Sequence, residues 1–152
     1  MTMQAPPFVI GAPHPVHAVA QWYQELSPHS LGRLSALYAA EARFKDPFND
    51  VKGLAAIEQI FRHMYASTER PHFVMLQAFG AGDQGFVRWE FYFHAKRRDW
   101  RIEGCTYFTF DAQGKVSLHR DYWDVAEEFW QKIPLIGGLV RWLRRRFQTP
   151  PA

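Results

Sequence analysis

The sequence predicts an α+β domain in which a curved antiparallel sheet packs on three N-terminal helices and encloses a pocket. Two observations lead to this fold class. Apolar residues recur at helical spacing before Pro71, whereas runs of strand composition joined by short turns follow it. The chain has 152 residues, which is enough for one domain with a sizeable core.

Three helices are expected before Pro71. Residues 1–15 carry four prolines and no periodicity, so they are interpreted as a flexible arm. The first helix is expected from Val16 to Leu26. A second begins at about Ser30, and its apolar stripe consists of Leu31, Leu34, Leu37 and Tyr38. The third runs from about Leu54 to Tyr65 with Ile57, Ile60, Phe61 and Met64 as its buried stripe.

Strands are expected in the remainder of the domain. A short strand, ARFKDPF, lies between the second and third helices, and three longer runs follow Pro71: HFVMLQAF, GFVRWEFYFHAK and WRIEGCTYFTF. Gly114 is the expected left-handed residue of the next turn. The last strand is SLHRDYWDVA. The domain is therefore expected to span residues 16–130.

Composition excludes several classes of protein. The single cysteine, Cys105, excludes an internal disulfide and fits a reducing compartment, and no apolar run reaches spanning length, so a cytoplasmic protein is expected. No glycine-rich phosphate loop and no convincing metal-ligand spacing is found, so no cofactor or metal is expected. The 13 Phe, 6 Trp and 6 Tyr exceed what one cavity uses, which predicts a homodimer formed by the outer face of the sheet.

Asp46 raises a question because it stands between Phe44 and Phe48 and is followed by Pro47. If Asp46 faces solvent, it is a turn residue that caps local amides. If it faces inward, it is a desolvated carboxylate that can transfer protons near neutral pH.

Two segments carry a resemblance to a known superfamily. LYAAEARFKDPF followed by GLAAIEQIF, and FDAQGKVSLHRDYWD, together resemble the nuclear-transport-factor-2-like superfamily over about residues 16–130. That superfamily includes ketosteroid isomerases, limonene-epoxide hydrolases and SnoaL polyketide cyclases. The resemblance implies a cone-shaped domain, but it does not fix the chemistry.

The isomerase comparison matches only one working group. Asp46 aligns with the general-base aspartate, whereas the oxyanion-hole tyrosine falls on Trp22, with Tyr23 one residue off, and the protonated aspartic acid falls on Thr106. An indole N–H and a threonine hydroxyl can still donate hydrogen bonds, but the carboxylic-acid donor is missing. True ketosteroid isomerisation is therefore not expected.

The hydrolase comparison points to Asp121, which opens a DYWD motif like the one that ends the Asp-Arg-Asp set of those enzymes. Arg88 and Glu90 resemble the other pair in residue type. If the hairpin turns tightly at Arg97-Arg98, Trp89 lies opposite Thr106 and Arg88 and Glu90 point outward. A bulge or a longer turn would reverse this, so the orientation of the pair stays open.

Alternation along the last strand places His119, Asp121 and Trp123 on one face, which by the resemblance is the pocket face. An imidazole beside a carboxylate suits proton transfer. The alternative is structural: an arginine pairs with Asp121, and His119 is a hydrogen-bonded core residue. The predicted catalytic residues are Asp46, His119 and Asp121. The predicted substrate-binding residues are Trp22, Tyr38, Phe61, Trp89, Thr106 and Trp123.

The C-terminal segment, residues 131–152, predicts a basic amphipathic helix. Leu135, Leu139 and Leu143 form a stripe, and arginines fill much of the remainder. Packing on the domain or on a partner subunit is the favoured interpretation, and transient membrane contact is the alternative. Nucleic-acid binding is not expected, because stacking aromatics are not interleaved with the basic residues across a broad face.

The function expected from these features is cofactor-independent acid/base chemistry on an apolar small molecule, as in an isomerase, a cyclase or an epoxide hydrolase. Asp46, Asp121 and His119 would supply the proton transfer. The alternative is a ligand-binding or protein-interaction module that keeps the pocket without the chemistry.

Overall fold

The computed structural model describes residues 13–128, 130 and 136–147, and they form two compact units. The first unit ends at Tyr122 and the second begins at Trp123. Residues 1–12 of the expected N-terminal arm lie outside the described residues. Each unit is considered by itself below.

Helix α1 spans Pro15–Gln24 and confirms the first predicted helix. His14 caps it, because its Nδ1 atom accepts a hydrogen bond from the amide of Val16 at 3.1 Å, and Pro15 supplies a first-turn residue that needs no amide donor. The apolar face of α1 is buried, including Val16 and Trp22. This face packs against the sheet.

The second predicted helix is shorter than expected. A 3₁₀ turn over His29–Arg33 leads into a single α-helical turn, α2, at Leu34–Leu37. Tyr38 has extended backbone angles and begins the first strand, whereas the sequence analysis placed it on the helix. Its fully buried side chain fits either periodicity, so spacing alone did not distinguish them.

Helix α3 spans Leu54–Ser67 and confirms the third predicted helix, with Ile57 and Phe61 buried. Gly53 stands at its start with φ of 94°, a conformation that a residue with a Cβ rarely adopts. The amide of Gly53 donates to the carbonyl of Ala42 at 2.9 Å, which ties the start of the helix to the sheet.

The six strands form one curved sheet that does not close into a barrel, in the order β2-β1-β6-β5-β4-β3. The strands are β1 Tyr38–Lys45, β2 Asp50–Lys52, β3 Glu69–Ala81, β4 Gln84–Ala95, β5 Arg98–Phe110 and β6 Val116–Tyr122. The α+β class is confirmed. The sheet is mixed, however, because β1 runs parallel to β6 while all other neighbours are antiparallel.

The β4–β5 hairpin turns one residue earlier than predicted. Ala95 pairs with Arg98, so Lys96 and Arg97 form the turn, and both have positive φ, 51° and 63°. Two positive φ values are those of a tight turn that matches the twist of the strands. The register therefore differs by two positions from the predicted one, and a shift of two leaves every side chain on its predicted face.

The second unit contains two helices among its described residues. Helix α4 spans Val125–Glu128, and the side chain of Asp124 caps it by accepting from the amide of Glu127 at 2.9 Å. Helix α5 spans Ile136–Phe147 and confirms a basic helix in this segment. Residues 129, 131–135 and 148–152, which include Leu135 of the predicted stripe, lie outside the described residues.

Candidate active site

The parallel pairing of β1 with β6 brings two of the predicted catalytic positions side by side. Phe44 is in register with His119, and Lys45 with Arg120. Asp121 then follows in β6, whereas Asp46 is the first residue beyond the end of β1. The rings of Phe44 and His119 stack at a centroid distance of 4.3 Å. Side chains two residues apart share a face of a strand, so Asp121 lies on the same face as His119.

His119 and Asp121 form the centre of a hydrogen-bonded chain on that face. The Nε2 atom of His119 lies 2.8 Å from Oδ1 of Asp121. The hydroxyl of Thr106 donates to the same oxygen at 2.5 Å, and the indole N–H of Trp89 donates to the Thr106 hydroxyl oxygen at 2.8 Å. Two side chains therefore hold one carboxylate oxygen, and Trp89 supports one of them.

Two tyrosines complete the chain behind the imidazole. The hydroxyl of Tyr38 lies 2.8 Å from Nδ1 of His119, and the hydroxyl of Tyr23 lies 3.1 Å from that of Tyr38. A carboxylate only accepts hydrogen bonds, so Nε2 of His119 carries the proton. In the neutral imidazole Nδ1 is then the acceptor, and Tyr38 donates to it.

The groups behind Asp121 are buried, and burial suppresses the ionisation of the two tyrosines. Tyr38 and His119 are 0% and 1% exposed. Burial raises the pKa of the Tyr38 hydroxyl, the hydrogen bond with Tyr23 lowers it, and the charge of Asp121 raises it further. Burial also raises the pKa of Tyr23, followed by the effects of Tyr38 and Asp121, with a small contribution from Asp46. The tyrosines therefore stay protonated and act as hydrogen-bond donors.

Asp121 differs from these groups because its side chain is 16% exposed. Thr106 and His119 both bind Oδ1, and none of the residues that the structure describes donates a hydrogen bond to Oδ2. Hydrogen bonds fix Oδ1 of the carboxylate, and Oδ2 can bind another molecule. That is the arrangement required of a positioned general base.

Gly104 makes room for this arrangement. It is the register partner of Trp89, and a Cβ atom at position 104 would lie 2.4 Å from the indole. The indole can therefore lie across β5 and reach Thr106 only because residue 104 has no side chain.

Asp46 has a different environment. Its Oδ1 atom accepts from the amides of Phe48 and Asn49 at 2.7 Å and 2.6 Å, and the side-chain amide of Asn49 donates to both oxygens. Phe48 is 59% exposed, so the inward carboxylate between two buried phenylalanines is not what the structure contains. Asp46 is half-buried and closes the turn between β1 and β2, which is the first of the two alternatives.

Two of the predicted substrate-binding residues occupy other positions. Trp22 is 1% exposed, and its indole N–H donates to the carbonyl of Ser30 at 2.9 Å. Phe61 is 3% exposed and packs edge-to-face against the Trp22 ring. Trp123 begins the second unit, so its place in the site stays a prediction. Tyr38, Trp89 and Thr106 all belong to the chain that ends at Asp121.

Arg88 and Glu90 lie on the opposite face of the sheet from Trp89, as the tight hairpin predicts. Arg88 donates to the carboxylate of Glu103, and Arg101 forms an ion pair with Glu90. The hydrogen bond from Arg101, followed by that from Tyr92, lowers the pKa of Glu90. The pair that resembles the hydrolase set therefore takes part in surface ion pairs and does not meet Asp121.

Tyr23 was not among the predicted site residues. The same holds for an aromatic wall formed by Phe73, Phe91 and Phe93. Phe73 and Phe91 stack at 4.5 Å, Phe91 and Phe93 at 4.9 Å, and all three are half-buried on the inner face. Phe91 and Phe93 alternate with Tyr92 and His94, and residues two apart share a face of a strand. This alternation could have predicted the wall.

The comparisons with known proteins identify the family. The pattern that defines the SnoaL-like domain matches residues 19–119. This chain belongs to the SnoaL-like domain family. No match was found among curated proteins.

Solved structures of three similar proteins share the fold. A hypothetical protein from Catenulispora acidiphila with a ketosteroid isomerase-like fold, in complex with trimethylamine, has 20% identity, covers 78% of this chain and 91% of its own, and has a TM-score of 0.65. A proposed SnoaL-like polyketide cyclase from Jannaschia is 15% identical, covers 74% of this chain and 87% of its own, and has a TM-score of 0.65. An LEH-like epoxide hydrolase from M. tuberculosis is 18% identical, covers 86% of this chain and 96% of its own, and has a TM-score of 0.64.

In this SnoaL-like domain a cavity of about 320 Å³ lies near the β4–β5 hairpin and shares Phe93 with the aromatic wall. It is lined by Arg70, His72, Tyr92, Phe93, His94, Asp99 and Trp100. None of the predicted site residues lines it. Arg70 and His94 both pair with Asp99, so the charges in this cavity are matched within it.

Within the described ranges no three side chains of His, Cys, Asp or Glu are grouped so that they could hold a metal ion. No described helix is long and apolar enough to cross a membrane.

Proposed function

We propose that this protein catalyses a cofactor-independent proton transfer within an apolar carbonyl compound, as an isomerase or a cyclase, with Asp121 as the general base. The observation that carries this proposal is the partly exposed Asp121 carboxylate. Thr106 and His119 fix one of its oxygens, and the other has no donor among the described residues. The half-buried wall of Phe73, Phe91 and Phe93 supplies the apolar surface that such a substrate needs.

In the proposed step, Oδ2 of Asp121 takes a proton from a carbon next to a carbonyl group. The electron pair of the broken C–H bond forms an enolate. In an isomerase the proton then returns to another carbon, and in a cyclase the enolate attacks a second carbonyl, whose alkoxide receives the proton. Asp121 ends each cycle ionised, so no redox partner is consumed.

His119 is a positioning residue in this proposal. It touches Asp121 through Nε2, and Tyr38 fixes the ring through Nδ1. Its burial keeps water away from the rear of the carboxylate. The two hydrogen bonds on Oδ1 fix the orientation of the carboxylate.

An isomerase or a cyclase is favoured over an epoxide hydrolase because of Arg88 and Glu90. These residues lie on the outer face, bound to Glu103 and Arg101, so they are not available to hold a water molecule beside Asp121. The similarity to an LEH-like hydrolase, at 18% identity, concerns the fold.

The test is exchange of the acidic carbon-bound protons of 2-tetralone in heavy water, followed by NMR. The wild type should accelerate exchange above the buffer rate, and Asp121→Asn should lower the enzymatic rate by about 100-fold or more. Asp111→Asn is the matched control, because Asp111 is a turn carboxylate that binds the amides of Gln113 and Lys115. Equal rates in the wild type and Asp121→Asn would contradict the proposal.

A binding protein without catalysis is the second candidate. It is favoured by the two indole donors, since Trp22 binds Ser30 and Trp89 binds Thr106, which leaves neither for an oxyanion. Saturable binding of the ketone in calorimetry, unchanged in Asp121→Asn and without proton exchange, would support this candidate.

A further inference from the structure

Helix α5 in the second unit exposes a row of large apolar side chains. The exposed fractions are 45% for Ile136, 60% for Leu139, 59% for Trp142, 43% for Leu143 and 85% for Phe147. A folded protein usually covers such a row or uses it for binding.

The row follows the helical repeat. Positions 136, 139, 143 and 147 are three or four residues apart, so they lie along one face of the helix, and Trp142 lies at the edge of that face. Arg141, Arg144 and Arg145 share another face by the same spacing. From Arg141 onward the helix therefore has a basic side apart from its apolar row, and Arg146, four residues from Trp142 and three from Leu143, lies at the edge of that row.

The charge of α5 has one sign. Residues 136–147 contain four arginines and no aspartate or glutamate. The carboxylate of Glu127 in α4 contacts this helix: its Oε2 atom lies 3.4 Å from Arg144, and Arg144 is still 46% exposed. Both partners are well exposed, so the contact leaves the basic face accessible to a negatively charged surface.

We infer that α5 is a docking helix that lies on an anionic membrane surface, with its apolar row among the acyl chains and its arginines among the headgroups. Its 12 residues span about 18 Å. This is shorter than the hydrocarbon core of a bilayer, about 30 Å, so α5 lies in the plane of the surface. A tryptophan at the boundary between the two faces is typical of such helices.

Charge complementarity selects this occupant over two others. A second copy of α5 would cover the apolar row but would bring no acidic side chain to the arginines, because residues 136–147 contain none. A nucleic acid would pair with the arginines but would leave the apolar row in water. An anionic bilayer satisfies both faces at once, and this inference does not depend on the proposed catalytic function.

The test is co-sedimentation of the full chain with vesicles of phosphatidylcholine alone and vesicles containing about one third phosphatidylglycerol. We expect binding to the anionic vesicles, weakened by added salt, and little binding to the neutral vesicles. Arg145→Gln should weaken binding about fivefold. Trp142→Ala should weaken it about tenfold, because its large apolar surface no longer enters the interface.

Two matched variants serve as controls. Phe79 is 60% exposed on the sheet, close to the 59% of Trp142, so Phe79→Ala removes a similar exposed aromatic elsewhere. Arg33→Gln removes one exposed positive charge outside α5. Both should bind anionic vesicles as the wild type does.

Three results would overturn the inference. The first is no sedimentation with anionic vesicles at low salt. The second is equal weakening of vesicle binding by the control variants, which would mean that net charge or nonspecific hydrophobic contact causes the binding. The third is binding of α5 to another macromolecule instead. This would be seen as Trp142-dependent self-association in light scattering, or as Arg145-dependent duplex DNA binding, without vesicle binding.

Discussion

The polar side chains on the two faces of the sheet in the first unit differ in their burial and in their bonding partners. On the inner face, His119, Tyr38 and Thr106 are at most 3% exposed and form one connected chain of hydrogen bonds. On the outer face, Arg88 and Glu103 are 51% and 40% exposed and form an ion pair in contact with water. The same strands supply both sets, because alternate residues face opposite sides.

The difference shows where specific partners matter. A buried donor or acceptor without a partner costs free energy, so each inner-face group needs a defined neighbour. An exposed charge has water as an alternative partner, so its ion pair contributes little. The variants below test this contrast, beginning with the largest expected effect.

Replacement of His119 by alanine should have the largest effect on stability. The change leaves a cavity in the core and removes the partners of Tyr38 and Asp121, so we expect a loss of about 3–5 kcal/mol in the free energy of unfolding. Urea denaturation measures it. His29→Ala is the control, because His29 is exposed, and it should change stability by less than about 0.5 kcal/mol. Similar losses in both variants would contradict the contrast.

Alkaline pH should weaken the fold through the buried tyrosines. The folded-state pKa of Tyr38 is raised above its ordinary value of 10.0. Above pH 10 the unfolded chain therefore releases a proton that the folded chain keeps, and stability falls as pH rises. The slope is about 1.4 kcal/mol per pH unit for each such tyrosine.

Tyr38→Phe should remove one such contribution, and chemical denaturation at several alkaline pH values measures the slope. The same substitution at Tyr122, which is 49% exposed, should leave the wild-type slope in place. If Tyr38→Phe had no effect on the slope, the hydroxyl would not be held as the structure shows.

Asp46→Ala should have an intermediate effect, because Asp46 is a half-buried turn residue. The change removes the acceptor for the amides of Phe48 and Asn49, so we expect a loss of about 1 kcal/mol. Asp46→Asn should lose less, since asparagine can also accept from these amides. Thermal melts at pH 8 compare the two, and stabilisation by Asp46→Asn would indicate a desolvated carboxylate instead of a turn cap.

Glu90→Gln should have the smallest effect, a change in Tm of no more than about 3 °C at neutral pH. Because the hydrogen bond from Arg101 lowers the pKa of Glu90, its contribution is present above the ordinary value of 4.5 and is lost as pH falls through the lowered folded value. The variant should therefore show a weaker decline in Tm on acidification. A large loss of Tm at pH 7 would mean that polar groups on the outer face depend on specific partners as much as those on the inner face do.

Several elements were predictable because their signals are local. The helical spacing in 16–26 and 54–65 matches α1 and α3, and the alternation in the last strand matches the inward orientation of His119 and Asp121. The orientation of Arg88 was also predicted correctly although the turn was misplaced, because a shift of two residues preserves strand parity. The homodimer expected from the outer-face aromatics stays a prediction.

Other features depended on contacts between distant residues. The turn bonds of Asp46 are local, but the choice between a turn cap and an inward base depended on how Phe48 is placed. Tyr38 changed from a helical to a strand residue because β1 pairs with β6, more than 70 residues away in sequence. The pairing is parallel, and no pattern within either strand specifies the direction of its neighbour.

The sequence by itself determined which residues alternate, where helices begin and which side chains can exchange protons, because these follow from backbone geometry and side-chain chemistry over a few residues. Only the tertiary structure decided that Tyr23 and Tyr38 stand behind His119, that Trp89 reaches Thr106 across Gly104, and that one oxygen of Asp121 remains without a donor among the described residues. These contacts join residues that are 15 to 96 positions apart. Such contacts form only when the whole sheet has assembled, since burial and hydrogen bonding between distant residues are properties of the packed chain.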